Sequence, residues 1–207
     1  MKRFKRIAAA LCLICLPAFA SPAAASEARD ILANTVNQVL EELKKPAMQN
    51  PSTRPAVLAD IEKIIKKLFS FEELSMRAVG PKWRSFSPEQ KKNFKAAFED
   101  LLRARYLHSL RGYNGEKVTY TGETTSSKGD KVEIQTIVEI KDKTVPVAYR
   151  MLKTDRWLVY DVIIEGVSMV QNYRSQFQAI LDKGDADALI ILVRQKAQES
   201  ETGKPGE

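Results

Sequence analysis

His108 is the only histidine in the chain, and the only two cysteines, Cys12 and Cys15, stand close to its start. A nucleophile–base pair or a zinc cluster needs several such residues converging, so thiol, zinc and acid–base chemistry find little to build on. His108 falls in a stretch with helical periodicity and has no Ser–acid pair in view. It reads as a surface or satisfied helix histidine. No glycine-rich phosphate loop or dinucleotide turn occurs, and Gly166-Val167-Ser168 lacks the full nucleophile-elbow pattern. One acid stands out: Asp161, inside the otherwise apolar run Trp157 to Ile164. A buried acid needs a partner. Asp161 is either a structural acid held by Arg150 or backbone donors, or a general base in a pocket. The first reading is favoured, because one acid without a matched partner makes a weak catalytic set.

The elements that position these residues follow from hydrophobic period. Residues 28–45 read as a helix with Ile31, Leu32, Thr35, Val36, Val39, Leu40 and Leu43 on one face. A loop from Pro46 to Pro55 separates it from a second helix reaching Phe69. Ser70-x-x-Glu73 has the form of a capping box and opens a short third helix to Val79. Ser87-Pro88-Glu89-Gln90 opens a long fourth helix that runs to Gly112. From Glu116 the period is two, giving strands at 116–121, 131–141, 144–152 and 157–165. The fourth is apolar on both faces and is expected inside the sheet. Gly166 ends it, and helices follow from Val167 to Leu181 and from Asp185 to Gln198. Helices, then an antiparallel meander, then helices again make an α+β domain.

The first 25 residues read as an export signal and not as part of the fold. Lys2, Arg3, Lys5 and Arg6 precede a short apolar run, and Ala23-Ala24-Ala25 fits the cleavage rule before Ser26. Removing those four basic residues from a net charge of +7 leaves about +3 on the mature chain. That balance gives no nucleic-acid footprint. Both cysteines leave with the signal, so the core alone must hold residues 26–198 as one α+β domain. Residues 199–207 are polar and read as a disordered tail. No other stretch is apolar and long enough to span a bilayer, so a soluble exported protein is expected.

The two sheet hairpins fix a face. With Asp142-Lys143 and Lys153–Arg156 as loops, Lys141 pairs with Thr144 and Leu152 with Trp157. One face then collects Val132, Ile134, Val138 and Ile140, with Val145, Val147, Tyr149 and Met151. The last strand adds Leu158, Tyr160, Val162 and Ile164. A one-residue slip would scramble this face. Phe94, Phe98, Tyr106, Met169, Tyr173 and Phe177 on the helices are placed to meet it. Pattern alone cannot separate a close-packed core from a cavity, since both need the same residue types.

WLVYDVIIEGVSMVQNYRSQF at 157–177 resembles the signature of the MlaC-type periplasmic phospholipid carriers, the auxiliary component of the toluene-tolerance/Mla transport system. FSFEELSMRAVGPKWRSFSPEQKKNFKAAF at 69–98 is similar to a second block of that family, and Tyr106 and Tyr113-Asn114-Gly115-Glu116 fit the stretch that follows. The resemblance covers about residues 28–195. It implies a curved antiparallel four-stranded sheet, a nuclear-transport-factor-like cone with added N- and C-terminal helices enclosing an apolar cavity. It implies a phospholipid ligand and shuttling between an outer-membrane lipoprotein–porin complex and an inner-membrane Mla-type ABC transporter. On that reading the lipid-binding residues are Phe94, Phe98, Tyr106, Ile134, Val138, Val147, Tyr149, Met151, Tyr160, Val162, Met169, Tyr173 and Phe177, with no cofactor, metal or catalytic set. A carrier of another lipid, such as a hopanoid, and a cone-fold enzyme using Asp161 remain as alternatives.

Overall fold

The computed structural model describes residues 23–201 apart from residue 142. Most of the expected export segment, residues 1–22, and the end of the expected tail, residues 202–207, lie outside the described residues. Helix α1 (Ala23–Lys44) begins ahead of the boundary expected after Ala25. α2 (Pro46–Gln49) is a single turn inside the expected loop, and α3 (Arg54–Leu68) and α4 (Phe71–Val79) follow. Ser70 caps α4 by accepting the Glu73 amide at 3.3 Å. Glu73 does not complete the box, because Arg77 Nε holds its carboxylate at 2.8 Å. A 3₁₀ segment, Gly80–Ser85, leads to α5 (Pro88–Leu102), where Ser87 and Gln90 form the full reciprocal box.

The expected fourth helix does not run unbroken to Gly112. It passes into a π turn at Arg103–Leu107 and a 3₁₀ turn at His108–Gly112. A π turn inserts one residue, which rotates the following side chains by about 100°. Ala104 stays buried, while Tyr106, Leu107 and Leu110 line a cavity.

Five antiparallel strands follow in sheet order β1 (Lys117–Thr125), β2 (Lys131–Ile140), β3 (Lys143–Lys153), β4 (Trp157–Ile164) and β5 (Val167–Ser168). The unexpected fifth has two residues. Glu165 (φ 51°) and Gly166 (φ 82°) make a tight left-handed turn that folds Val167 and Ser168 back onto β4. β4 is therefore the last long strand, and it lies between β3 and β5 as expected of a strand inside the sheet, although β5 covers only Ile163 and Ile164. Its free edge is closed by β5 and by a bridge from Phe69 to Val159. α6 (Met169–Leu181) and α7 (Ala186–Glu201) complete the chain. α7 passes the expected end at Gln198, and Arg103 Nη2 pairs with Glu201 in its last turn.

Ile140 pairs with Lys143, so the β2–β3 register is shifted by two residues from the expected Lys141–Thr144 pair. An even shift leaves every side chain on its expected face. The β3–β4 register does change faces. Lys153 pairs with Trp157 and Met151 with Val159, then a bulge at Tyr160 restores Arg150 to Asp161 and Tyr149 to Val162. Trp157, Val159, Val162 and Ile164 thus share the inner face. Leu158 and Tyr160, expected there, do not.

Apolar residues gather in three groups. α4, α5, α6 and α7 bury an aromatic cluster, with Phe98 5.0 Å from Tyr173 and 5.5 Å from Phe177 in edge-on geometry. The second group sets Ala28 and Leu32 of α1 against Val132, Ile134, Met151, Trp157 and Val159 of the sheet. Glu27 ties this end down, accepting from Lys153 Nζ at 2.9 Å and Trp157 Nε1 at 3.2 Å. Those two bonds hold the Glu27 carboxyl below its ordinary pKa. The third group joins the end of α1 to α2 and α3.

Candidate functional site

An apolar cavity of about 600 Å³ lies between α1, α3, the end of α5 and the inner face of the sheet. The amphipathic stripe of α1 forms one wall, through Leu32, Val36, Val39, Leu40 and Leu43. Ile65, Leu68, Phe69 and Phe71 continue it along α3 and into α4. The sheet supplies Val118, Val138, Ile140, Val147, Tyr149, Val162 and Ile164. Tyr106, Ile140 and Ile164 are each more than a third exposed, and they belong to the few large apolar side chains left open to solvent among the described residues. All three line this cavity. A folded chain seldom leaves such residues together unless something covers them.

Polar groups in the wall are few. Glu62, Lys66, Glu99 and Arg103 stand together, with Lys66 Nζ 2.8 Å from a carboxylate oxygen of each glutamate. The bonds to Glu62 and Glu99 raise the Lys66 ammonium above its ordinary pKa. Tyr149 lies on the sheet wall, and its removal from bulk water pushes its phenol up to about 12. Thr136 is buried beside it on the sheet, and its hydroxyl donates to the Val147 carbonyl at 2.8 Å. Among the described residues, the site offers a large apolar volume and no set of groups aimed at a reacting atom.

Of the residues expected from sequence to line a cavity, Tyr106, Val138, Val147, Tyr149, Val162 and Met169 do so. Phe94, Phe98, Tyr173 and Phe177 do not. They pack against one another and α7 in the aromatic core, because the apolar face of α5 meets α6 and α7 before it can reach the sheet. Ile134 and Met151 sit on the correct face but under the start of α1, where Ala28 and Leu32 fill the space. Tyr160 is turned outward by its bulge and lines a polar concavity on the opposite side. The wall from α1 was missed, although its stripe was legible.

Asp161 is buried and fully engaged. It accepts from Ser168 Oγ at 2.7 Å, the Val170 amide at 3.0 Å and Arg150 Nη1 at 3.3 Å. These bonds fasten β4 to the start of α6, which is a structural role. Asp161→Ala is expected to destabilise the protein by about 3 kcal/mol, read as a lower denaturant midpoint. Asp161→Asn keeps an acceptor and should lose less. An unchanged midpoint in Asp161→Ala would refute the structural role.

A family model described as MlaC protein matches residues 33–195. The intermembrane phospholipid transport system binding protein MlaC of Haemophilus influenzae is 24% identical over 135 residues, covering 63% of this chain and 63% of that protein's length. The toluene tolerance protein ttg2D of Pseudomonas putida is 25% identical over 167 residues, 79% of this chain and 77% of that one. A phospholipid-binding protein from Ralstonia solanacearum, solved in complex with a phospholipid, matches with a TM-score of 0.74 at 22% identity, covering 84% of this chain and 98% of that one. That likeness carries the fold.

Proposed function

Because the chain belongs to the MlaC family, we propose that it is a soluble periplasmic phospholipid carrier whose acyl chains occupy the cavity between α1, α3 and the sheet. The observation that carries this reading is the apolar cavity, open to solvent through Tyr106, Ile140 and Ile164. Its volume falls within the range of roughly 300–1,000 Å³ typical of ligand sites. The lipid-binding residues on this reading are Tyr106, Val138, Val147, Tyr149, Val162 and Met169, joined by the α1 wall. The carrier is exported by a cleaved signal within residues 1–25 and works without enzymatic activity. It passes lipid between an outer-membrane lipoprotein–porin complex and an inner-membrane Mla-type ABC transporter.

Energetics support a carrier. Two acyl chains hold on the order of 30 methylenes, each worth ~0.8 kcal/mol when buried. A free phospholipid in water is therefore disfavoured by roughly 20 kcal/mol. Transfer from a bilayer to a dry cavity is near neutral in that term, so the carrier needs no energy source of its own. It does need docking partners that open a dry path, and direction must come from the ATPase.

Native mass spectrometry of the protein purified from a bacterial periplasm tests this reading. The expected result is a mass above that of the polypeptide, with phospholipid identified in the extracted fraction. A bare polypeptide that also fails to take up added phospholipid would sink it.

A further inference from the structure

Arg150 follows Tyr149 in β3, so the two side chains point to opposite faces of the sheet. Tyr149 faces the cavity. Arg150 faces a second concavity of about 800 Å³, bounded by α4, the Gly80–Ser85 segment, β4 and the start of α6. Four guanidiniums line it, those of Arg77, Arg84, Arg150 and Arg174, and Asp161 is the only acid in its wall. Asp161 is already engaged. Arg150 Nε is 2.8 Å from Glu133, and Arg77 pairs with Glu73 at 2.7 Å and lies over the Tyr160 ring at 4.3 Å. Among the described residues no carboxylate pairs with Arg84 or Arg174.

The Arg174 guanidinium lies against the backbone at Gly80. A Cβ at Gly80 would stand 2.9 Å from Arg174 Nε and push the guanidinium aside, and the φ of 73° at Gly80 itself calls for glycine. Arg174 is half-buried there, and Arg84 is exposed at the edge. Met76, Pro81 and Val170 share the wall of this concavity. A recessed set of planar forks with apolar surface among them suits carboxylate side chains on a projecting segment. A flat bilayer surface does not reach into a concavity, and one small oxyanion would leave most of it empty.

We propose that this arginine-lined groove is the docking site for an acidic loop of the protein partner that exchanges lipid with the carrier. The proposal rests on the carrier reading above. It separates two jobs onto two faces of the sheet, with lipid held inside and partner recognition outside. Docking then leaves the lipid wall untouched.

Arg84→Glu, Arg174→Glu and the double variant test it. Lipid load is measured by native mass spectrometry. Lipid transfer is measured to proteoliposomes carrying the cognate inner-membrane transporter, to others carrying the outer-membrane complex, and to protein-free phosphatidylglycerol vesicles. The expected result is normal load with transfer to at least one type of proteoliposome slowed by about tenfold in the double variant. Added salt should slow the native protein in the same direction. Arg84→Glu, at an exposed position, gives the answer if Arg174→Glu does not fold. Unchanged transfer to both proteoliposomes overturns the proposal while leaving the carrier reading intact. A fallen lipid load would make the groove part of the lipid site, and an equal loss on protein-free vesicles would make it a membrane contact; either also overturns it. A native protein that carries no lipid at all is the separate failure of the carrier reading.

Discussion

On the carrier reading, Val147→Trp is expected to strip most of the bound lipid from the protein and leave its fold standing. Val147 sits in β3 opposite Thr136 on one side and Ile164 on the other, and its side chain faces the cavity. The new indole enters the cavity space that lipid would fill on the carrier reading. A close-packed site would reject the same change at a cost of about 1–3 kcal/mol. In the cavity the melting temperature of delipidated protein should move by less than about 3 °C. Delipidated protein is required, because bound lipid itself raises apparent stability. Full lipid load with a sharply lower melt would place Val147 in solid core.

Phe98→Ala should do the reverse. Phe98 is completely buried, edge-on to Tyr173 and Phe177 and against Phe94 at 5.6 Å. Removing its ring leaves a void inside a cluster held on several sides by helices. The expected loss is about 3–5 kcal/mol, a fall in melting temperature of about 10 °C. Lipid bound per folded molecule should stay the same. A variant with native stability and reduced lipid would return Phe98 to the cavity wall.

The contrast between these two residues marks what a sequence can say. Both lie on well-marked apolar faces, and period identifies those faces without identifying what they meet. Phe98 meets α6 and α7, while Val147 meets open space. The α1 stripe through Val36, Val39 and Leu40 was equally visible, but nothing in its spacing says that it closes a cavity. Tyr160 failed for another reason. A bulge adds one residue to β4, and period-two alternation carries no mark of an extra residue. The two-residue slip between β2 and β3 was harmless, because an even shift preserves the face. The Ser87 box, the order of helices and sheet and the pairing of Asp161 with Arg150 and a backbone donor were legible, while its bond from Ser168 was not.

The bond from Trp157 Nε1 to Glu27 spans 130 positions of chain. The β-meander can assemble from neighbouring hairpins, and the far end of α1 can settle early on α2 and α3, but the start of α1 lacks its full seat until Trp157 and Val159 of β4 join the sheet. In a chain made from its N-terminus, the first turns of α1 appear early and are fastened among the last. Ala28 and Leu32, whose partners lie in the sheet, therefore stay uncovered for longer than the rest of the helix. A long wait for a distant contact slows folding and leaves an adhesive surface open to other chains. The bond that closes the finished fold thus also delays it: until Trp157 arrives, the first turns of α1 are a loose and adhesive end.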